Sequence, residues 1–326
     1  MTDSTPLNHT IPEISVIIAS RNGRDRIPQT INSLLCQRAN EPIPWELIFI
    51  DNGSTDNTAE IVQNMWTSGI PLHILTEPKT GKSHALNRAL LHAQGEILGF
   101  IDDDVIPQSD WLTVIHKTFL DQETFAIMGK VILPDNLLRP WMQPLHRSRL
   151  ASTEVLDSAN PVEFLGANMA IRRKILDNVP SFDTELGPGA LGFGDDSLFS
   201  YQLLEAGYKI KYIESVIVEH HFEEKRLYYT EWINDAKKRG ESRAYIAYHW
   251  AHVNETCLRQ KYVIALIRLI RWKISHPINK SHREGCSIRE IRLVEQASYL
   301  KRLLFESKRE RLYDYRGLIK RDNNQN

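Results

Sequence analysis

The apolar positions of this chain fall first into short, nearly continuous runs. Ile14 to Ser20, Trp45 to Ile50, Leu72 to Leu75 and Ile97 to Ile101 are too short for helices and rich in β-branched side chains. Between them lie helix-like stretches: Ile27 to about Gln37, a segment capped by Ser54 or Asp56 and ending at Trp66, and Lys82 to Gln94. Buried strands alternating with helices predict an α/β fold, a doubly wound and mostly parallel sheet. Further on, Trp111 to Leu120 reads as a helix, with Ser109 and Asp110 as caps, and Phe125 to Leu133 and Phe164 to Ile171 read as strands. Ser197 to Ala206 reads as a helix and Tyr208 to Val218 as strand, turn and strand. Residues 134–160, with Pro134, Pro140 and Pro144 and a cluster that includes Arg147 and Arg149, read as irregular. From Arg226 the pattern is helical nearly to the end. The expected organisation is an α/β domain over 12–225 and a helical, basic extension over 226–326, preceded by a loose arm at 1–12.

Open α/β sheets bind ligands outside the carboxyl ends of their strands. Here Arg21 and Asn22 follow the first strand, Asp51 and Asn52 the second, and Asp102-Asp103-Asp104 the fourth. Three adjacent carboxylates repel one another, and a divalent cation, Mg2+ or Mn2+, with a diphosphate would offset that cost. Thr80-Gly81-Lys82-Ser83 imitates a phosphate loop, but Thr76 stands where the pattern needs its first Gly, which excludes a P-loop triphosphatase. Lys82 at a helix amino terminus can still meet a phosphate. No G-x-G-x-x-G follows the first strand, so nicotinamide and flavin binding are not supported. A second focus lies at 187–196, where four glycines in eight residues precede Asp195 and Asp196 at the start of a helix. One of these carboxylates suits a cap, and the other, beside a mobile or tightly turned loop, suits a general base. His220 or His221 could add a metal nitrogen, with Val216, Val218 and His220 sharing a face.

Composition changes this picture only in its charge. The net charge of −1 conceals 17 Lys/Arg against 7 Asp/Glu in residues 256–326, while the first 255 residues are net acidic. That asymmetry argues against a nucleic-acid binder and gives the basic end a polyanionic or membrane-surface partner. Lys261 to Lys273 combines apolar bulk, Trp272 and cations. It is too short to span a bilayer and suits a membrane interface or packing on the main domain, with packing expected. Cys36, Cys257 and Cys286 are few, spaced and odd in number, which fits a reducing compartment. The polar amino terminus lacks a signal-peptide layout, so the chain is expected to be cytoplasmic, peripheral on the inner face of a membrane at most.

Six stretches in order, "SVIIASRN", "ELIFIDNGSTDNTAEIV", "GKSHALNRAL", "GEILGFIDDDVIPQSDWL", "GANMAIRRKIL" and "GFGDDSLFSYQLLEAGYKIKYIESVIVEHH", resemble the inverting, GT-A-fold family 2 glycosyltransferases over about residues 14–221. The resemblance implies a GT-A fold, a nucleotide-diphosphate sugar donor with a UDP-sugar expected, and a glycan or lipid-linked hydroxyl acceptor. It implies that Ala19, Arg21 and Asn22 border the nucleotide, that Asp51 accepts from the base, and that Lys82 and Asn87 face the ribose-diphosphate. The Asp102-Asp103-Asp104 triplet corresponds to the family's D-x-D element, with Asp102 and Asp103 toward the donor. Asp104 and His220 or His221 would hold a divalent metal, Mn2+ or Mg2+. Asp196 would be the catalytic base, with Asp195 beside it where the family usually carries Glu. Two other readings remain: a sugar-nucleotide-forming nucleotidyltransferase, and an inactive nucleotide-sugar-binding scaffold, whose sign would be loss of these acids.

Overall fold

A computed structural model describes residues 11–38, 42–159, 161, 163–277 and 283–321. Most of the expected amino-terminal arm (residues 1–10) lies outside the described residues. Eight strands form one sheet in the order β3-β2-β1-β4-β7-β6-β8-β5. Strands β1 (Ile14–Ser20), β2 (Trp45–Asp51), β3 (Leu72–Thr76) and β4 (Ile97–Ile101) are mutually parallel. β1, β2 and β4 are almost wholly buried, as their unbroken apolar runs require. Beyond β4 the sheet is mixed. β7 (Asn168–Arg172) runs antiparallel to β4 and to β6 (Ala126–Ile132), β8 (Ile210–His220) is parallel to β6, and β5 (Val105–Pro107) closes the edge antiparallel to β8.

Helices cover both faces. On one, α1 (Ile27–Leu35) buries Ile27, Thr30, Ile31 and Leu34, a single helical stripe, and α4 (Trp111–Phe119) buries Trp111, Leu112, Ile115 and Phe119. α2 (Thr58–Met65) packs on the same side. On the other, α3 (Lys82–His92) and α6 (Asp195–Glu205) enclose a second cluster with Ile17, Phe100, Met169 and Phe199. Asn168 fastens the mixed half. Its side chain accepts from Trp111 Nε1 at 2.9 Å and donates to the carbonyls of Lys130 and Val216.

Several boundaries differ from the sequence reading. The irregular stretch contains a helix, α5 (Pro144–Arg149), because Pro144 sits in the first turn, where its missing N–H is no loss. A capping box between Gln143 and His146 completes that start. β8 is one strand of 11 residues, and its exposed middle, Glu214 and Ser215, is a bulge, the register jumping from Gly129↔Ile213 to Lys130↔Ile217. The expected caps are met in part: Asp56 Oδ1 accepts from the Thr58 amide that opens α2 (3.3 Å), while Ser54 Oγ accepts from the Asn22 amide and the amide of Leu112 in α4 bonds Gln37 Oε1.

The carboxyl-terminal segment forms α7 (Tyr229–His249), α8 (Leu258–Ser275) and α9 (Ile288–Glu306). Tyr245, Ile246 and Trp250 share a buried cluster with Leu186, Leu198, Leu312 and Tyr313. Asp183 at its centre accepts from the hydroxyls of Tyr245 and Tyr313 and from Lys320, each at 2.7 Å. α8 packs on α9 through Ala265 and Leu269, not on the main sheet as expected. Its Val263, Ile264, Ile267, Ile270 and Ile274 remain exposed. No helix among the described residues is long and apolar enough to cross a membrane.

Candidate active site

The ends of β1, β2 and β4 open into one cavity of about 950 Å³, closed on its far side by α5, α6 and α7. Ala19, Arg21, Lys82, Asp102, Asp103, Asp104, Asp195, Asp196 and His220 all line it. Its volume lies near the top of the usual range for ligand pockets, with room for two substrates.

The three acids at the end of β4 have different partners. Asp102 pairs with Lys82, the first residue of α3. Asp103 is buried and committed to the protein, accepting from Ser20 Oγ and, at 2.9 Å, from Arg26. Burial and the neighbouring Asp104 push its carboxyl up in spite of these partners. Asp104 lies 3.4 Å from His220 Nε2. Burial works against its charge, but His220, Arg226 and Arg26 bring it down to about 2, so it is ionised at any working pH. The expected repulsion in the triplet is thus met partly by protein cations.

His220 Nδ1 lies 2.8 Å from the Leu150 carbonyl, which can only accept. Nδ1 therefore carries a proton, and a metal between Nε2 and Asp104 would take the Nε2 lone pair in place of the proton through which the imidazolium lowers Asp104. The carboxylate oxygen suits Mn2+ or Mg2+, and the imidazole nitrogen favours the softer Mn2+ of the two. Among the described residues no group of three or more His, Cys, Asp or Glu is arranged to hold a metal alone. Two protein ligands with substrate phosphates and water filling the rest is how such ions are commonly bound. His221 is not among the residues that line the cavity, and its Nε2 meets Glu219.

The glycine-rich loop builds the other wall. Gly187, Gly189, Gly192 and Gly194 all have positive φ, between +85° and +101°. At Gly187 the need is also steric, since a Cβ would stand 2.8 Å from Asp195 Cγ. The loop is sewn to α3 by Lys82 N–H to the Pro188 carbonyl (2.8 Å) and Ser83 Oγ to the Leu186 carbonyl (3.0 Å). Asp195 and Asp196 open α6, and Gly194, not an acid, takes the cap position. Asp195 is buried, and burial together with Asp196 pushes its carboxyl up to about 7, Lys82 opposing. Asp196 is partly exposed to the cavity and accepts from the amides of Gly166 at 3.0 Å and Ser197 at 2.8 Å. The same three acids, Asp102, Asp195 and Asp196, hold the Lys82 ammonium above the ordinary lysine value although burial works against its charge.

Three expected donor contacts are spent inside the protein and do not line the cavity. Asn87 donates one hydrogen bond to the Phe182 carbonyl and accepts one from its amide, pinning α3 to that loop. Asn22, at φ +50°, accepts from the Thr55 amide. Asp51 is buried and accepts from the Ser54 amide. Asn52, its neighbour, is the residue that reaches the cavity wall, tying the end of β2 to Glu77, Lys79 and Gly81. Sequence reading also missed Glu163, which accepts from Tyr201 beside Asp196, and the cavity residues Arg26, Arg226 and Arg239. Only Arg149 had a signal, in the cluster of cations before position 150.

The chain is similar to known glycosyltransferases. It is 30% identical to a Pasteurella multocida chondroitin synthase over 133 residues, 40% of this chain and only 14% of that enzyme. It is 26% identical to the glycosyltransferase AglE of Haloferax volcanii over 214 residues, 65% of this chain and 67% of AglE. Among solved structures, the mannosyltransferase PcManGT of Pyrobaculum calidifontis, in complex with GDP-mannose and Mn2+, shares the fold with a TM-score of 0.53 at 19% identity. That likeness covers 92% of this chain and 74% of PcManGT. Residues 15–179, just over half of the chain, match Glycosyl transferase family 2, and the chain belongs to that family of GT-A-fold enzymes.

Proposed function

We propose that the chain moves a sugar from a nucleotide-diphosphate donor to a hydroxyl acceptor, with inversion at the anomeric carbon, in glycan or polysaccharide synthesis. The observation that carries this reading is the cavity that gathers Asp104 with His220, Asp102 with Lys82, and Asp196 held by two backbone amides. Asp196 is the base. The Gly166 and Ser197 amides fix its carboxylate, and its remaining lone pairs accept the acceptor's proton. The freed oxygen attacks the anomeric carbon opposite the leaving diphosphate, which inverts the configuration. Asp195 lies behind it and balances Lys82. Lys82 and Arg21 meet the donor's phosphates, Ala19 and Asn52 border the nucleotide, and Asp102 orients the ribose or sugar. Asp104 and His220 would hold the divalent metal, Mn2+ or Mg2+, which supplies Lewis-acid stabilisation of the charge that grows on the diphosphate. PcManGT is a neighbour that holds Mn2+ with its GDP-sugar. A UDP-sugar is the donor proposed here.

Asp196→Asn tests the reading. Transfer should fall by about 10³-fold or more, within the range for loss of a general base, with donor affinity nearly unchanged. Turnover at the wild-type rate would remove Asp196 from the mechanism. The nucleotidyltransferase reading would give pyrophosphate in place of a nucleoside diphosphate. A scaffold would bind donor without turnover under any acceptor.

The location reading rests on α8. It carries Arg259, Lys261, Arg268, Arg271 and Lys273 and no acidic residue. Val263, Ile267, Ile270 and Ile274 form an exposed ridge opposite the buried Ala265. An apolar ridge flanked by cations fits the surface of an anionic bilayer, where a lipid-linked acceptor would be met.

A further inference from the structure

The wall of the cavity made by α5 and α7 carries more positive charge than the protein neutralises. Arg149 of α5, Lys238, Arg239 and Arg243 of α7 and Arg226 of the turn before α7 line it, against Asp235 of α7 and Glu295 of α9. Glu295 is shared, accepting from Arg149 at 2.5 Å and from Arg243 at 3.0 Å. Arg239 makes a hydrogen bond of 3.0 Å from its Nη2 to the Arg149 carbonyl and lies 4.0 Å over the Phe193 ring. Neither contact is an anion. Nε and Nη1 of Arg149 and Nε of Arg239 are buried with no hydrogen-bond partner. Burial and the neighbouring Arg149 bring the Arg239 guanidinium down to about 10, with Asp235 and Glu295 opposing. Donors left unmade in a closed wall are costly, and a guanidinium fork matches phosphate or carboxylate.

The band runs between two parts of the site. Arg226 is close enough to act on both Asp104 and Arg239, and Arg243 acts on Tyr201, which lies beside Asp196. It faces the strand ends where the donor would lie, from the opposite wall. We infer that Arg149 and Arg239, flanked by Arg226 and Arg243, form an acceptor subsite for an anionic group, a phosphate or a carboxylate carried by the acceptor. The acceptor part of this inference rests on the glycosyl-transfer reading. The anion, held by both guanidinium groups, directs a hydroxyl of the same molecule toward Asp196.

Calorimetry on the full chain tests this in two stages at constant ionic strength: a nucleoside diphosphate with Mg2+, then inorganic phosphate or glucuronate added to the saturated protein. Wild type should bind at least one of the two anions, and the tighter one names the acceptor's group. Arg149→Gln and Arg239→Gln should each weaken that binding about tenfold or more, Arg239→Lys less, with the nucleotide Kd within twofold of wild type. Thermal unfolding of the variants reports their folding: Arg149→Gln gives up its ion pair with Glu295 and should lower the Tm, while Arg239→Gln, which breaks no ion pair, should lower it less. Binding of neither anion by wild type, or equal binding by folded variants, overturns the subsite. A nucleotide Kd that rises together with the anion Kd also overturns it, because the arginines then serve the donor. Were wild type to bind the anions but no nucleoside diphosphate, the anion subsite would stand while the glycosyl-transfer reading fell.

Discussion

Asp195 and Asp196 are chemically identical neighbours, and their surroundings separate them. Asp196 has two amide donors and a face on the cavity, while Asp195 is buried against Gly187 and pushed up to about 7. Between the ordinary value of 3.8 and that value, the folded chain keeps a proton that the unfolded chain has lost. Asp195's contribution to stability is therefore complete below about pH 4 and is lost as pH rises through 7. Asp195→Asn, neutral throughout, should be more stable than wild type at pH 8, by at most about 4 kcal/mol at ~1.4 kcal/mol per unit, with the gap closing toward pH 4. Urea unfolding at pH 4, 6 and 8 measures this, and a gap independent of pH would refute the shift. At the other end of the site, His220→Ala removes one of the two proposed protein ligands. Mn2+ affinity in the presence of a nucleoside diphosphate should fall by at least about tenfold, read by the electron paramagnetic resonance of free Mn2+. An unchanged affinity would take His220 out of the metal site.

The residues that announced themselves were those whose neighbours in sequence share the chemistry, such as the Asp102–Asp104 run and the Asp195-Asp196 pair after four glycines. Arg239 and Glu163 are single residues brought to the cavity by α7 and by the loop before β7, and no local pattern marks them, while Asn52 was marked only as a polar residue at the end of β2. Asn87 shows the converse. Its place in the middle of α3 was legible, but its partner, the Phe182 backbone, comes from 95 residues away.

Among the elements, periodicity succeeded where one face is buried and failed where two signals compete. Proline in the 134–160 stretch reads as a breaker, yet Pro144 begins α5. A polar interruption reads as a turn, yet in β8 it is a bulge that lets the strand run on to deliver His220. For α8 the sequence favoured packing on the main domain over membrane contact, and the helix instead packs Ala265 on α9 and leaves the isoleucine ridge outside. Sedimentation with vesicles containing phosphatidylserine should pellet the protein at low salt and much less at high salt. Ile267→Asp with Ile270→Asp should abolish binding while leaving the Tm unchanged, since both side chains are about half exposed. Absence of binding by wild type at low salt would end the membrane reading.

For the whole molecule, the alternation of strands and helices made the parallel half of the sheet legible before any coordinates. The order in which strands cross is a long-range property, and nothing local indicates that β7 inserts antiparallel between β4 and β6. That insertion positions the site. It sets the Phe164–Ala167 turn beside Asp196 and brings β8, with His220, to the same end as Asp104. The arginine wall opposite the strand ends comes from α5, from α7 and from the turn before α7, all within the 255 residues that composition marks as net acidic. The central claim is metal-assisted release of a nucleoside diphosphate from a sugar donor. It is tested most directly by following that release from UDP-, GDP- and dTDP-sugars, with Mn2+ and with a chelator. Release from one donor, lost on chelation, is the expected result, and it would also name the base and sugar. Silence from every donor, with no donor binding by calorimetry, would contradict the account.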